Sequence, residues 1–124
     1  MQDIKHLIGK MGEETAISFL KRKGYKLLEK NFRTRNGEID LIVYKNKTIV
    51  FVEVKTRKFK TPYLPEDSVN IYKQRKISAV AKEYLLKKEL PEYNFLRFDV
   101  ITIRYSGRKK EEIEHYEGAF LNAF

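Results

Sequence analysis

The chain contains no cysteine, which excludes a disulfide framework and every thiolate metal site. No apolar run is long enough to span a bilayer, and the N-terminus lacks a secretory hydrophobic region. The expectation is a cytoplasmic protein without a membrane partner. There is no internal repeat, low-complexity segment or linker, so residues 1–124 read as a single domain. A glycine-rich phosphate loop, a Ser/His/Asp arrangement and zinc-finger spacing are all missing. These absences argue against P-loop nucleotide hydrolysis and serine chemistry. The histidines, His6 and His115, lack metal-ligand spacing and are read as non-catalytic.

Positive charge is in excess. Lysine plus arginine number 26 against 17 acids, a net charge of +9. In so short a chain this favours a polyanionic partner, although a solvated lysine-rich surface gives the same count. The hydrophobic fraction of 42% suits a globular chain with one modest core.

The most informative stretch is GEIDLIVYKNKTIVFVEVKTR, residues 37–57. Residues 39–44 and 48–54 are mostly β-branched or aromatic and read as strands. A two-residue turn at Asn46-Lys47 pairs Lys45 with Thr48. Tyr44 then faces Ile49, Ile42 faces Phe51, and Asp40 faces Glu53, with opposed Cβ atoms roughly 5 Å apart. Lys55 points to the same side as Glu53, because side chains alternate along a strand. A slip of one residue would turn Asp40 to the other side. Two carboxylates so placed repel each other unless a cation lies between them. Oxygen donors suit Mg2+ or Mn2+, and the Val54 carbonyl is a further candidate ligand. Lys55 is placed to orient a water or to stabilise charge on a phosphate. The plain alternative is a Glu53–Lys55 ion pair beside an exposed Asp40.

The segment GKMGEETAISFLKRKGY reads as a helix ending before Gly24, a favourable C-cap residue. Glu13 shares the apolar face of Ala16, Ile17 and Leu20, with Phe19 at its edge, whereas Glu14 lines up with Ser18 and Lys21. Glu13 is therefore the acid aimed inward, as a third site acid or as a favourable charge in the first turn.

Residues 25–32 read as a strand leading into RTRNG, where Arg33 and Arg35 are candidates for phosphate contacts or solvated loop residues. The basic, proline-interrupted loop after Lys55 adds Arg57, Lys58 and Lys60, with Phe59 and Tyr63 as stacking or anchoring aromatics. A second helix over residues 69–88, capped by Asp67 or Ser68, carries the stripe Ile77, Val80, Ala81, Tyr84 and Leu85. Lys73 and Gln74 extend that stripe toward the cleft. RFDVITIRY is a strand in which Asp99 is read as a structural hydrogen-bond acceptor rather than a site acid, and residues 113–120 give a last short strand.

In order along nearly the whole chain stand GEETAISFLKRKGYKLLEKNFR, GEIDLI, VFVEVKTR, KQRKI, RFDVITI and EGAF. This series resembles the small bacterial YraN-type family, of the restriction-endonuclease-like fold. The resemblance implies an α/β domain with a mixed β-sheet flanked by helices. The fold's signature, an acid followed by acid-x-lysine, is similar to Asp40, Glu53 and Lys55, and its helical glutamate to Glu13. By likeness to archaeal Holliday-junction resolvases, such a set would bind Mg2+ or Mn2+ and cut a phosphodiester, with Glu13 holding a second metal or positioning water. Some related nucleases place a glutamine near the metal, the position of Gln74.

The expectation is thus a metal-dependent nuclease acting on nucleic acid, DNA in preference to RNA, at branched or damaged structures. Arg33, Arg35, Arg57, Lys73 and Gln74 would face the nucleic acid. No reading helix is visible, so sequence-specific recognition is not indicated. Cutting both arms of a junction would call for a homodimer, which nothing in the sequence specifies. The rival is a non-catalytic nucleic-acid-binding module that keeps the fold within a repair or RNA-processing assembly.

Overall fold

The computed structural model describes residues 4–58, 70–105 and 111–120. Its elements are α1 (Ile4–Arg22), β1 (Lys26–Thr34), β2 (Gly37–Lys45), β3 (Thr48–Lys58), α2 (Ile71–Lys87), β4 (Phe95–Tyr105) and β5 (Glu111–Phe120). The strands form one sheet in the order β1-β2-β3-β4-β5. All neighbours are antiparallel except β3 and β4, which run parallel. A parallel pair needs a long crossover, and α2 lies within it.

The apolar pattern of β3 explains the layering. Ile49 and Phe51 point to one side and pack with Ile77, Val80, Ala81 and Tyr84 of α2. Val50 and Val52 point to the other and pack with Ala16 and Leu20 of α1. β4 divides in the same way, Phe98 and Val100 toward α2, Ile101 and Ile103 toward α1. A strand covered on both faces reads as a nearly continuous apolar run, as VFV does here. Full burial of a side chain such as Leu20 or Phe51 contributes about 2 kcal/mol. The architecture is the α/β, helix-flanked mixed sheet that the resemblance implies. No helix among the described residues is long and apolar enough to cross a membrane.

Asn46 and Lys47 both have positive φ, 50° and 56°, the signature of a type I′ turn, although Asn-Lys lacks the glycine that eases it. The resulting register is Lys45↔Thr48, Tyr44↔Ile49 and Ile42↔Phe51, as the two-residue turn requires. Gly24 (φ 96°) ends α1, with the Tyr25 N–H bonded back to the Leu20 carbonyl at 3.0 Å.

Several element ends differ from those read in the sequence. α1 begins at Ile4 rather than Gly9. Its first turns expose Ile4, Leu7 and Met11, so they carry no inward apolar stripe to betray a helix. α2 is capped by Asn70, whose side chain accepts the Lys73 N–H at 2.9 Å. Asp67 and Ser68, the caps expected from sequence, lie outside the described residues, as do Phe59, Lys60 and Tyr63.

Candidate functional site

The β2–β3 ladder runs from the turn to Leu41↔Val52 and stops there. The next residues outward are Asp40 and Glu53. Ile39 packs in the same core as Ile42, so strict alternation is broken between them, and Asp40 stands at the break. Its Oδ2 accepts the backbone N–H of Val54 at 2.8 Å. A ladder hydrogen bond is thus replaced by a carboxylate, and the strands part where the two acids stand.

Asp40 is half-buried, and its carboxyl is pushed up to about 8. Burial contributes most and repulsion from Glu53 comes next; the Val54 hydrogen bond opposes both, while Glu13 and Glu38 add smaller repulsions. Glu53 is compensated differently. Its Oε1 receives the Lys55 ammonium at 3.1 Å and the Lys73 ammonium at 2.9 Å. The Glu53 side chain is only 11% exposed, Lys55 18% and Lys73 36%. Burial lowers the pKa of Lys55, and the adjoining Lys73 lowers it further against the pull of Glu53. Burial also pulls on Lys73, but its contacts with the neighbouring Lys55 amine and the Glu53 carboxylate outweigh this and leave its pKa raised.

On the α1 side, Asp40 opens into a groove of about 550 Å³ lined by His6, Gly9, Lys10, Glu13, Asn31, Arg33 and Glu38. Asn31 organises this wall. It sits in the left-handed region (φ 53°), and its side-chain amide donates to Glu13 Oε1 and to Glu38 Oε1, each at 3.0 Å. Arg33 pairs with Glu38 Oε2 at 2.8 Å. α1 lies close to β3 here because Gly12 is buried against Thr56; a Cβ at that position would overlap the Thr56 methyl.

The structure gathers Glu53, Lys55 and Lys73 into one ion cluster. Asp40 stands beside it on the Val54 N–H rather than paired with Glu53 in the ladder, and Glu13 lines the same groove as Asp40. Glu13 faces Asn31 rather than Glu53. Arg33 lies on the groove wall but is engaged by Glu38. Arg35 is exposed at the β1–β2 turn. Arg57 turns back to the Thr56 carbonyl at 2.9 Å. Gln74 is half-buried in the first turn of α2. Val54 contributes its N–H to Asp40. Asn31, Glu38, Lys10 and the groove position of His6 escaped the sequence reading. Only Glu38, two positions before Asp40 in GEID, left a signal there.

Among the described residues no three Asp, Glu, His or Cys side chains form a ready-made cation cage. The donor set nonetheless suits a divalent cation. Two carboxylates repel across the parted strands, and burial together with that repulsion raises the Asp40 carboxyl. Thr102, in register with Lys55 across β3 and β4, is buried, and its hydroxyl finds no hydrogen-bond partner among the described residues. Asp99, by contrast, is saturated. It accepts from Arg97 at 2.8 and 2.9 Å and from the Gly118 N–H at 3.0 Å, and it pairs with His115 Nε2 at 2.7 Å.

A family model described as uncharacterised protein family UPF0102 matches residues 12–103. A UPF0102 protein of Alkaliphilus oremlandii is 48% identical over 114 residues, covering 91% of this chain and 97% of the relative. Its counterpart in Thermodesulfovibrio yellowstonii is 49% identical over 116 residues, covering 92% and 96%. That of Caldanaerobacter subterraneus is 44% identical over 123 residues, covering 97% and 96%. The matched region spans both site strands and the Glu13 end of the groove, and the chain belongs to the UPF0102, or YraN, family.

Proposed function

We propose that the protein is a divalent-cation-dependent nuclease that hydrolyses phosphodiester bonds of DNA, at branched or damaged structures. The carrying observation is the Asp40 carboxyl, held at the parting of β2 and β3 beside Glu53 and raised to about 8 by burial and by that second acid. Such a pair is stabilised by positive charge placed between its members. Asp40 and Glu53 are the residues that would hold Mg2+ or Mn2+, with the Val54 carbonyl as a further oxygen. A cation there supplies charge neutralisation at the scissile phosphate and lowers the pKa of a bound water. Lys55, its own pKa lowered by burial and Lys73, exchanges a proton with the attacking water or steadies the charge of the transition state. Glu13, fixed by Asn31, orients water or assists a second cation from the far wall of the groove. Arg33, Arg35 and Arg57 hold backbone phosphates without reading sequence, and the net charge of +9 draws a polyanion to them.

One observation favours a second reading, a binding module that does not cut. Glu53 is already matched by two ammonium groups, as in a site that has exchanged its cation for lysine. The two readings separate on flap, fork, four-way-junction and linear DNA with and without Mg2+ or Mn2+. A nuclease cuts, and Asp40→Asn and Glu53→Gln abolish cutting while binding persists. Salt-dependent binding with no cutting under either metal establishes the module instead.

A further inference from the structure

Glu53 is held twice, and its two partners are not equivalent. Lys55 follows it on the same strand, and its side chain is only 18% exposed. Lys73 arrives from a different element, and its side chain is 36% exposed. Its backbone is fixed, because its N–H is bonded to the Asn70 cap at 2.9 Å. Its freedom therefore lies in the flexible four-carbon stem. Both ammonium groups contact the same oxygen, Oε1.

We propose that Lys73 is a displaceable counter-ion: it occupies Glu53 in the cation-free protein and is released by the cation to meet the nucleic-acid backbone. This rests on the cation-dependent reading above. Lys73 then tunes the cation site through Glu53 and, once released, contacts the substrate.

Two arguments carry it. The first is electrostatic. Two ammonium groups on one carboxylate oxygen leave an excess of positive charge, and a divalent cation brought to Glu53 would be repelled by both. One of them has to leave. The second is solvation. A buried ammonium without its carboxylate is costly, whereas one with a route to water keeps its hydration. Lys55 has little such route and Lys73 has one, so Lys73 is the partner that leaves. Once released it is a free cation in the first turn of α2, beside Gln74, and a phosphate is its natural partner. The exchange couples cation binding to substrate binding, since the charge given up by Glu53 becomes available to DNA.

The test uses the full chain in four forms: wild type, Lys73→Met, Lys73→Arg and Asp40→Asn. Mn2+ binding is measured by electron paramagnetic resonance, and binding of a fluorescent DNA by anisotropy in EDTA and in Ca2+. Lys73→Met is expected to bind Mn2+ about fivefold to tenfold more tightly than wild type, because the competing charge is gone. The same variant is expected to lose about fivefold in DNA affinity in Ca2+ and to match wild type in EDTA. Lys73→Arg, which keeps the charge and checks that substitution there is tolerated, follows wild type in both. If wild type binds Mn2+ and Asp40→Asn does not, yet Lys73→Met binds it no more tightly than wild type, the displacement is overturned and the cation site stands. An equal loss of DNA affinity in EDTA and Ca2+ also overturns it, since Lys73 would then be free in both states. If no form binds Mn2+, the cation site fails and the displacement with it.

Discussion

The side chain of Asp40 holds the backbone of Val54, its Oδ2 accepting the Val54 N–H at 2.8 Å. An acid on one strand has taken the place of a carbonyl in the ladder. The substitution parts β2 from β3 and fixes the peptide between Glu53 and Lys55. The same carboxylate that would ligate a cation therefore also shapes the strand that carries the other ligand. The geometry of the site and the end of the β2–β3 ladder are one feature.

Asp40 makes the cation-free protein sensitive to pH. Its carboxyl is pushed up to about 8 in the fold by burial and by Glu53, against about 4 in an unfolded chain. Between those values the folded state keeps a proton that the unfolded state has released, so stability falls as pH rises through that window. Asp40→Asn removes this slope. It is expected to be more stable than wild type at pH 8, by on the order of 2 kcal/mol, while abolishing cutting. Urea unfolding in EDTA at pH 5 and pH 8 measures it; an equal pH slope in the two proteins refutes the assignment.

The approach of α1 to β3 depends on a missing Cβ. At Gly12 an added methyl would overlap Thr56 Cγ2, so Gly12→Ala is expected to destabilise by about 1–3 kcal/mol through overpacking. Thr56→Ser removes that methyl, and the double variant is expected to regain most of the loss. Strict additivity of the two changes in a double-mutant cycle would show that the contact does not limit the packing.

The hairpin was legible in the sequence because strand alternation and a two-residue turn leave a single register from Lys45↔Thr48 to Ile42↔Phe51, but the expected facing of Asp40 and Glu53 falls beyond the end of that ladder. The sequence could not show where the ladder stops. That depends on Asp40 capturing Val54 and on Ile39 turning toward α2, a local break that a period of two does not encode. Lys73 was legible as a residue aimed at the cleft, because helical spacing places it on the inward stripe of α2. Its partner was not, since spacing along one helix says nothing about which acid of the sheet it meets. Asn31 left no mark because its role rests on a positive φ, and the β1 stretch around it reads as an ordinary polar edge strand.

Asp99 ties β4 to β5 and sets an acid limit on stability. Burial raises its pKa, but hydrogen bonds from His115, Arg97 and the Gly118 N–H bring it below the ordinary value. For a depressed carboxyl the stabilisation is present above the unfolded pKa, near 4, and is lost as pH falls through the folded value. Asp99→Asn is expected to destabilise by about 1–3 kcal/mol at pH 7, because Arg97 and His115 lose a charged acceptor while Arg97 keeps Glu117. It should also flatten the loss of stability below pH 4. Thermal melts from pH 7 to pH 3 measure both. A variant as stable as wild type at pH 7 would show that the Asp99 cluster contributes nothing net.

Asn31 separates the fold of the groove from its chemistry. Its backbone lies at φ 53°, where glycine is relaxed, asparagine tolerated and a β-branched residue strained. Asn31→Gly keeps that backbone and removes only the two side-chain hydrogen bonds to Glu13 and Glu38. These lie near solvent, so stability should fall by no more than about 1 kcal/mol. Asn31→Val adds backbone strain, for a total loss of about 2–3 kcal/mol. If Glu13 acts in the groove, both variants lose cutting by about tenfold despite their different stabilities, because a loosened Glu13 no longer orients its target. Single-turnover cleavage of a forked DNA, read beside urea unfolding of each variant, decides it. Cutting that tracks stability would make Asn31 a purely structural residue. Cutting that falls in Asn31→Gly with stability nearly intact places Glu13 in the reaction.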